Sequence, residues 1–212
     1  MIWILNFFEI TACITGFVYY KKLKGGYWKW FPFYLLIIVL VEFTGRYLSD
    51  SGLISYNIAM YKFFGMPVQF LFFYFIFYQH EYFRDKRKWI LTGAAVYVTS
   101  IVFETVFLTN KSYWFHSFSY SIGNVILLIL LIAFFIKFIQ SDAILDFSKN
   151  LMFWFCLGLL LYYLGSFPFW ALRNVLVAKY RNALENYYIV MLLLNYCMYL
   201  SFITGFILCR KK

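Results

Sequence analysis

The stretch FPFYLLIIVLVEFTGRYLS, from Phe31 to Ser49, decides the class of this protein. It is apolar and about as long as the roughly 20 residues that a helix needs to cross a bilayer, yet it contains Glu42 and Arg46. An ionisable side chain at membrane depth is costly and persists where the protein interior satisfies it. Because Glu42 and Arg46 stand at positions i and i+4, they share one helix face and can pair. We therefore expect this face to point into a helical bundle and away from lipid.

The composition of the whole chain agrees with this interpretation. Of the 212 residues, 64% are hydrophobic and only 13% are charged, and a soluble domain of this size could not cover so much apolar surface. We predict an all-α membrane protein that forms a single polytopic transmembrane domain, residues 1–212, with the lipid bilayer as its partner. A net charge of +10 would suggest nucleic-acid binding in a soluble protein. Here the basic residues fall in short connections, as in loops that face anionic lipid, so we expect no nucleic-acid partner.

Seven transmembrane helices are predicted, with the N-terminus outside and the C-terminus in the cytoplasm. The predicted spans are approximately 2–20, 31–49, 60–78, 89–108, 119–138, 151–172 and 188–209. No basic residue precedes the first span and Lys21, Lys22 and Lys24 follow it, which is not the pattern of a signal peptide. This orientation puts most of the 19 Lys and Arg in cytoplasmic connections, as the positive-inside rule requires. The segment 173–186 is basic for an outer loop, and an alternative is that it lies in the headgroup region.

An internal repeat is a further interpretation of the sequence. VEFTGRYL at 41–48 aligns with LYYLGSFP at 161–168, which pairs Gly45 with Gly165, and Gln69 then falls opposite Asn195. The result is a parallel 3+1+3 arrangement, with repeats at 1–80 and 118–209 and a linker helix at 89–108. Many transporters are built from such repeats, with the binding site at the repeat interface. The topology resembles that of the SWEET sugar transporters and the PnuC vitamin transporters, although the sequence contains no motif of either family.

The polar residues at membrane depth are the candidates for binding a substrate or a proton. At 1.5 Å per residue, Glu9 and Glu42 lie roughly 16 Å from the inner ends of their helices, near the midplane of a ~30 Å core. If their helix faces converge, they line a polar cavity open to the outside, and two carboxyl groups close together in a low dielectric can retain a proton near neutral pH. The primary candidates are Glu9, Glu42, Arg46, Gln69, Asn124 and Asn195, and the secondary candidates are Glu104, Tyr162, Ser166 and Tyr199. The alternative is a satisfied polar network that only holds the helices together.

We expect no special chemical role for Lys62, the cysteines or the histidines. Lys62 lies near a span end, where a lysine can extend its ammonium to the membrane surface. The four cysteines have no CxxC spacing, and His80 and His116 are predicted at opposite membrane faces, so we expect no metal site and no cofactor. The sequence contains no GxSxG, HExxH or Walker motif.

Three short stretches carry a resemblance to known proteins. Glu9-Ile10, the run VEFTGRY at 41–47 and the run LGSFP at 164–168 resemble a group of uncharacterised, aromatic-rich, seven-helix bacterial inner-membrane proteins. The resemblance implies a multi-pass location in the inner (plasma) membrane, and it implies no activity.

Three classes of function stay open. The first is a transporter-like or sensor-like protein that recognises a small molecule or proton in an outward-facing cavity, and the three acidic residues at depth favour it. The second is an accessory subunit that packs its aromatic surface on a larger membrane complex, or on copies of itself in a homo-oligomer. The third, and least favoured, is a lipid-modifying enzyme that uses acidic residues at headgroup level as acid and base, comparable in size with lysoplasmalogenase-type hydrolases.

Overall fold

A computed structural model of the chain describes residues 2–23, 26–108 and 116–209. Every regular element in these ranges is helical, and they contain no strand. The α-helices are α1 (Ile2–Val18), α2 (Tyr20–Leu23), α3 (Phe31–Asp50), α4 (Ile54–Met60), α5 (Met66–Gln79), α6 (Arg87–Phe103), α7 (Ser117–Ile139), α8 (Leu151–Ala171), α9 (Arg173–Lys179) and α10 (Arg181–Leu208). Short 3-10 segments occupy Tyr27–Trp30, Glu81–Lys86 and Asp142–Lys149, and π-helical turns occupy Tyr61–Gly65 and Glu104–Leu108. The basic residues Lys24, Lys111 and those at 210–212, which the charge argument uses, lie outside the described ranges.

Six helical segments of the described chain are long and apolar enough to cross a bilayer, which indicates a multi-pass membrane protein. They are Tyr27–Asp50, Ile54–Gln79, Glu81–Phe107, Ser117–Ile139, Leu151–Ala171 and Asn186–Leu208. These segments overlap the second to seventh predicted spans. The first predicted span is the shorter apolar helix α1, of 17 residues. Seven spans, the orientation and the repeat therefore stay predictions.

The helix boundaries follow from local chemistry. Asn150 precedes α8 and its side-chain oxygen accepts a hydrogen bond from the Met152 backbone N–H at 2.9 Å, which satisfies a donor that has no partner within the helix. Pro67 lies inside the continuous helical segment Ile54–Gln79, just after the π-helical turn Tyr61–Gly65. Proline has no N–H to donate to the preceding turn, so the regular hydrogen-bond pattern is interrupted next to this irregular turn. Arg87 at the start of α6 donates to the carbonyl of Tyr78 at the end of α5, at 3.0 Å, and so satisfies a terminal acceptor of the preceding span.

The chain divides into two compact units, of which the first comprises Met1–Val39, Leu128–Ser166 and Tyr188–Lys212. Its core is aromatic. The Phe31 ring lies 5.3 Å from the ring of Phe155 and 5.1 Å from those of Phe202 and Phe206. All four side chains are buried, so α3, α8 and α10 meet around Phe31.

Within the first unit, α1 runs alongside α10 in the same direction. The rings of Phe8 and Tyr196 are 5.3 Å apart, and a Cβ placed on Gly16 would lie 3.2 Å from the Phe206 ring. Just beyond α1, the Lys22 ammonium donates to the carbonyl of Ile207 at 3.0 Å. Residues that come later along α1 and α2 thus contact residues that come later along α10, so α1 and α10 are parallel.

The second unit comprises Leu40–Leu127 and Phe167–Tyr187. In this unit α5 packs against α6, and the Phe70 ring lies 5.0 Å from Tyr97 and 5.3 Å from Tyr120. The Tyr74 hydroxyl donates to the Gly123 carbonyl at 2.8 Å, which ties α5 to α7. Neither unit coincides with a predicted repeat, because each contains parts of both.

Candidate functional site

Glu42 in the second unit is hydrogen-bonded to a tyrosine. The Tyr61 hydroxyl donates to Oε2 of Glu42 at 2.9 Å, and Glu42 also interacts electrostatically with Arg46, one turn along α3. Glu42 is half-buried. The pairing of Glu42 with Arg46 was expected from their spacing, whereas Tyr61 as a partner was not.

Gly45 makes the Glu42–Tyr61 contact possible. A Cβ at this position would lie only 2.6 Å from the Tyr61 hydroxyl oxygen and 2.8 Å from its ring. Because glycine has no side chain, the tyrosine ring can lie directly against α3 and reach Glu42 three residues earlier. The pattern E-x-x-G at 42–45 therefore lets one tyrosine ring pack against the helix backbone and donate a hydrogen bond to the glutamate.

The other candidates of the second unit are Gln69, Asn124 and Glu104. Gln69 is half-buried on α5, and Asn124 is fully buried on α7, next to the Gly123 carbonyl that receives the Tyr74 hydrogen bond. Glu104 is buried in the π-helical turn that follows α6. Asn124 and Glu104 are buried, as expected for polar side chains that are shielded from lipid.

In the first unit, Glu9 is surrounded by protein and close to tyrosines. It is 4% exposed and interacts electrostatically with Tyr34 of α3, which interacts in turn with Tyr162 of α8. Asn6, one turn before Glu9, is also buried, whereas Phe7 on the other side of α1 is exposed. One face of α1 is thus polar and internal, and the other is aromatic and external.

The remaining candidates also belong to the first unit. Ser166 and Tyr199 are buried and Asn195 is half-buried. Glu9, Tyr162, Ser166, Asn195 and Tyr199 therefore belong to one unit, and Glu42, Arg46, Gln69, Asn124 and Glu104 belong to the other. The structure brings Glu9 near Tyr34 and Glu42 near Tyr61 and Arg46. The convergence of Glu9 with Glu42 in one cavity stays a prediction.

Glu104 caps the N-terminus of α7 although it lies outside that helix. Its carboxylate accepts hydrogen bonds from the backbone N–H groups of Phe118, at 3.1 Å, and Ser119, at 2.7 Å, and from the Ser119 hydroxyl at 2.7 Å. The first N–H groups of a helix have no partner within it, and the helix dipole favours a negative charge there. Glu104 thus acts as an N-terminal cap supplied by the π-helical turn that follows α6.

Lys62 is more enclosed than its place near a predicted span end suggests. It is buried at 7% exposure in the π-helical turn 61–65, where it interacts electrostatically with Glu104. Its ammonium lies 5.4 Å from the centre of the Phe63 ring. Each of the two π-helical turns therefore carries one buried residue of opposite charge, and such turns are frequent at functional sites.

His116, directly before α7, completes this cluster. Its ring is 2% exposed and packs edge-to-face on Phe63 at 5.5 Å, and its Nε2 lies 3.2 Å from the Thr105 hydroxyl. Burial and the nearby positive charge of Lys62 lower the pKa of His116 to about 4, so the ring is neutral at physiological pH.

The sequence analysis missed Tyr61, Lys62 and His116 as members of polar clusters. The stripe of Lys62, Gly65 and Gln69 at helical spacing was an available signal, but a lysine near a span end has an ordinary explanation. Nothing local to His116 reports that Thr105 and Lys62 lie beside it. Among the described residues, no group of three or more His, Cys, Asp or Glu could hold a metal ion.

No protein-family model, no curated protein and no solved structure matches the chain.

Proposed function

We propose that the protein is a proton-linked, transporter-like membrane protein, in which Glu42 is the principal proton-binding residue. The observation that carries this proposal is the hydrogen bond from the Tyr61 hydroxyl to Glu42. A tyrosine hydroxyl can donate to a carboxylate and accept from a carboxylic acid. The pair keeps its hydrogen bond in both protonation states, so Glu42 can gain and lose a proton without leaving an unsatisfied polar group.

Arg46 opposes the protonation of Glu42. Its charge, near Glu42 on the same helix, stabilises the ionised carboxylate, while the low dielectric of a membrane interior stabilises the neutral acid. A carboxyl group between these two influences is suited to reversible protonation. Glu9, which interacts electrostatically with Tyr34, is the second candidate proton carrier.

The proposed architecture has seven spans, with the N-terminus outside, in the inner (plasma) membrane. Its support is α1: at 1.5 Å per residue a helix of 17 residues is about 26 Å long, within the range for a span. The contacts with Tyr196 and Phe206 run along α10, which contains the span Asn186–Leu208. Two parallel spans at the ends of the chain imply an odd number of crossings, which agrees with seven.

The test is proton movement in liposomes that contain the purified protein and a pH-sensitive dye. A potassium gradient with valinomycin sets the membrane potential, and the internal pH is recorded alone and after addition of solutes from a panel of sugars, amino acids, organic acids and vitamins. We expect at least one condition to move protons faster than in empty liposomes, and Glu42→Gln to abolish this difference.

Glu81→Gln is the matched control, because Glu81 is exposed in the 3-10 segment that precedes α6. It should behave as wild type, and all variants should elute as one symmetrical peak in detergent. Proton movement equal to that of empty liposomes under every condition would overturn the proposal, as would full activity in Glu42→Gln.

A further inference from the structure

Three buried side chains near the start of α7 present polar groups to one another. Nδ1 of His116 and the hydroxyl of Ser117 have no hydrogen-bond partner among the described residues, and the ammonium of Lys62 has only an electrostatic interaction with Glu104 and a contact with the Phe63 ring. All three side chains are at most 9% exposed. An unsatisfied buried donor or acceptor costs about 1–3 kcal/mol, and native proteins rarely retain several together without a reason. A ligand that satisfies all three is such a reason.

The hydrogen bonds around Thr105 determine which ring nitrogen of His116 is free. The Thr105 hydroxyl has one proton, and it donates this proton to the Ile101 carbonyl at 2.7 Å. Toward His116 it can then only accept, so Nε2 carries the hydrogen and Nδ1 carries a bare lone pair. His116 therefore requires a ligand that donates a hydrogen bond.

Lys62 imposes the complementary requirement. An ammonium group has donors and no acceptor, so the ligand must also accept a hydrogen bond. A fully ionised carboxylate lacks the proton that His116 needs, and a cation would be repelled by Lys62. Because Glu104 already balances the charge of Lys62, no net charge is demanded of the ligand. A hydroxyl group fits, since it donates and accepts at the same oxygen.

We propose that Lys62, His116 and Ser117 form a binding site for a hydroxyl group of a polyol, either free in solution or part of a phospholipid headgroup. His116 Nδ1 accepts from this hydroxyl, and Lys62 and Ser117 donate to its oxygen. The exposed rings of Phe63 and Phe118 flank the site, and His116 immediately precedes a span, so the site lies at headgroup level. It is distinct from Glu42, and it does not depend on proton transport.

The chain is well suited to a spectroscopic test because it contains only two histidines. Nδ1 of His80 already accepts a hydrogen bond from the Tyr82 backbone N–H at 3.2 Å, so His80 is an internal control. The protein, labelled with ¹⁵N at histidine, is placed in phosphatidylcholine nanodiscs, whose headgroup has no hydroxyl. The Nδ1 resonances are followed as glycerol is added, and again in nanodiscs that contain phosphatidylglycerol.

We expect a saturable change of the His116 Nδ1 resonance with no change at His80. A response to glycerol identifies a free polyol, and a response to phosphatidylglycerol alone identifies a lipid headgroup. Lys62→Met, which keeps the apolar volume and removes the donors, should weaken binding by roughly tenfold or more, and Ser117→Ala by a smaller factor. No change at His116 with either probe, or equal changes at both histidines, would overturn the proposal.

Discussion

At the scale of single residues, acidic side chains in this protein are stabilised by hydrogen bonds from uncharged groups. Glu104 accepts from two backbone N–H groups and one hydroxyl, and Glu42 accepts from Tyr61. Hydrogen bonds to a charged acceptor are stronger than those between neutral groups, and in lipid an unsatisfied backbone donor is especially costly. Glu104 is therefore the residue whose loss should be most damaging to α7.

Two substitutions of Glu104 should distinguish the contribution of its hydrogen-bond acceptors from that of its negative charge. Glu104→Ala removes all acceptors of the cap and should destabilise the protein by about 3 kcal/mol, whereas Glu104→Gln keeps one acceptor oxygen and should cost less. Thermal denaturation in detergent measures the order of stability, and hydrogen exchange measures the protection of the Phe118 and Ser119 amides. Glu81→Ala is the exposed control. Unchanged protection of both amides in Glu104→Ala would contradict the capping role.

His116 should make stability depend on pH in a defined interval. Its pKa is about 4 in the folded protein against 6.5 for the ordinary side chain, so the unfolded state binds the proton first as the pH falls. Stability from this residue is complete above pH 6.5 and is lost as the pH falls toward 4, by at most roughly 3 kcal/mol. The melting temperature of wild type should therefore drop more steeply across this interval than that of His116→Phe. Parallel pH profiles would contradict this assignment.

At the scale of elements, glycines allow close contact between α8 and α10 in the first unit. A Cβ on Gly158 would lie 3.0 Å from the backbone oxygen of Met198, and one on Gly205 would lie 2.8 Å from Cβ of Trp154. Small residues at such contacts are typical of membrane helices, because helices associate in lipid through close packing. Hydrophobic burial cannot drive this association, since lipid tails are as apolar as the side chains.

A single methyl group at Gly158 should therefore be harmful. Gly158→Ala meets a backbone atom that cannot rotate away, and overpacking of this kind typically costs 1–3 kcal/mol. Gly26→Ala is the matched control, because a Cβ there meets nothing within 4 Å. Thermal denaturation in detergent compares the two variants. Equal stability of Gly158→Ala and Gly26→Ala would show that α8 and α10 are not in close contact.

At the scale of the whole molecule, the distribution of charge predicts the orientation. Most of the basic residues fall in connections assigned to the cytoplasm, where anionic lipid and the insertion machinery favour them. The turn that contains Ser51 is then outside, and the segment Glu81–Lys86 is inside. Both Ser51 and Asp85 are exposed, which makes them suitable reporters.

Cysteine labelling should verify this orientation. In a background without the four native cysteines, Ser51→Cys should react with a membrane-impermeant maleimide applied to intact cells. Asp85→Cys should react only after the membrane is permeabilised. The reverse pattern would place the N-terminus in the cytoplasm, and labelling of both sites from outside would be incompatible with a helix that crosses the bilayer between them.

The sequence by itself determined that the protein is helical and multi-pass, because long apolar segments can satisfy their backbone in lipid in few other ways. Helical spacing also determined that Glu42 and Arg46 share a face. Tertiary structure alone decided which groups meet across helices: Tyr61 on Gly45 beside Glu42, and Lys62 with Glu104 and His116. Spacing along one helix reports a direction around its own axis, whereas a contact between helices depends on how each is rotated and shifted against the next.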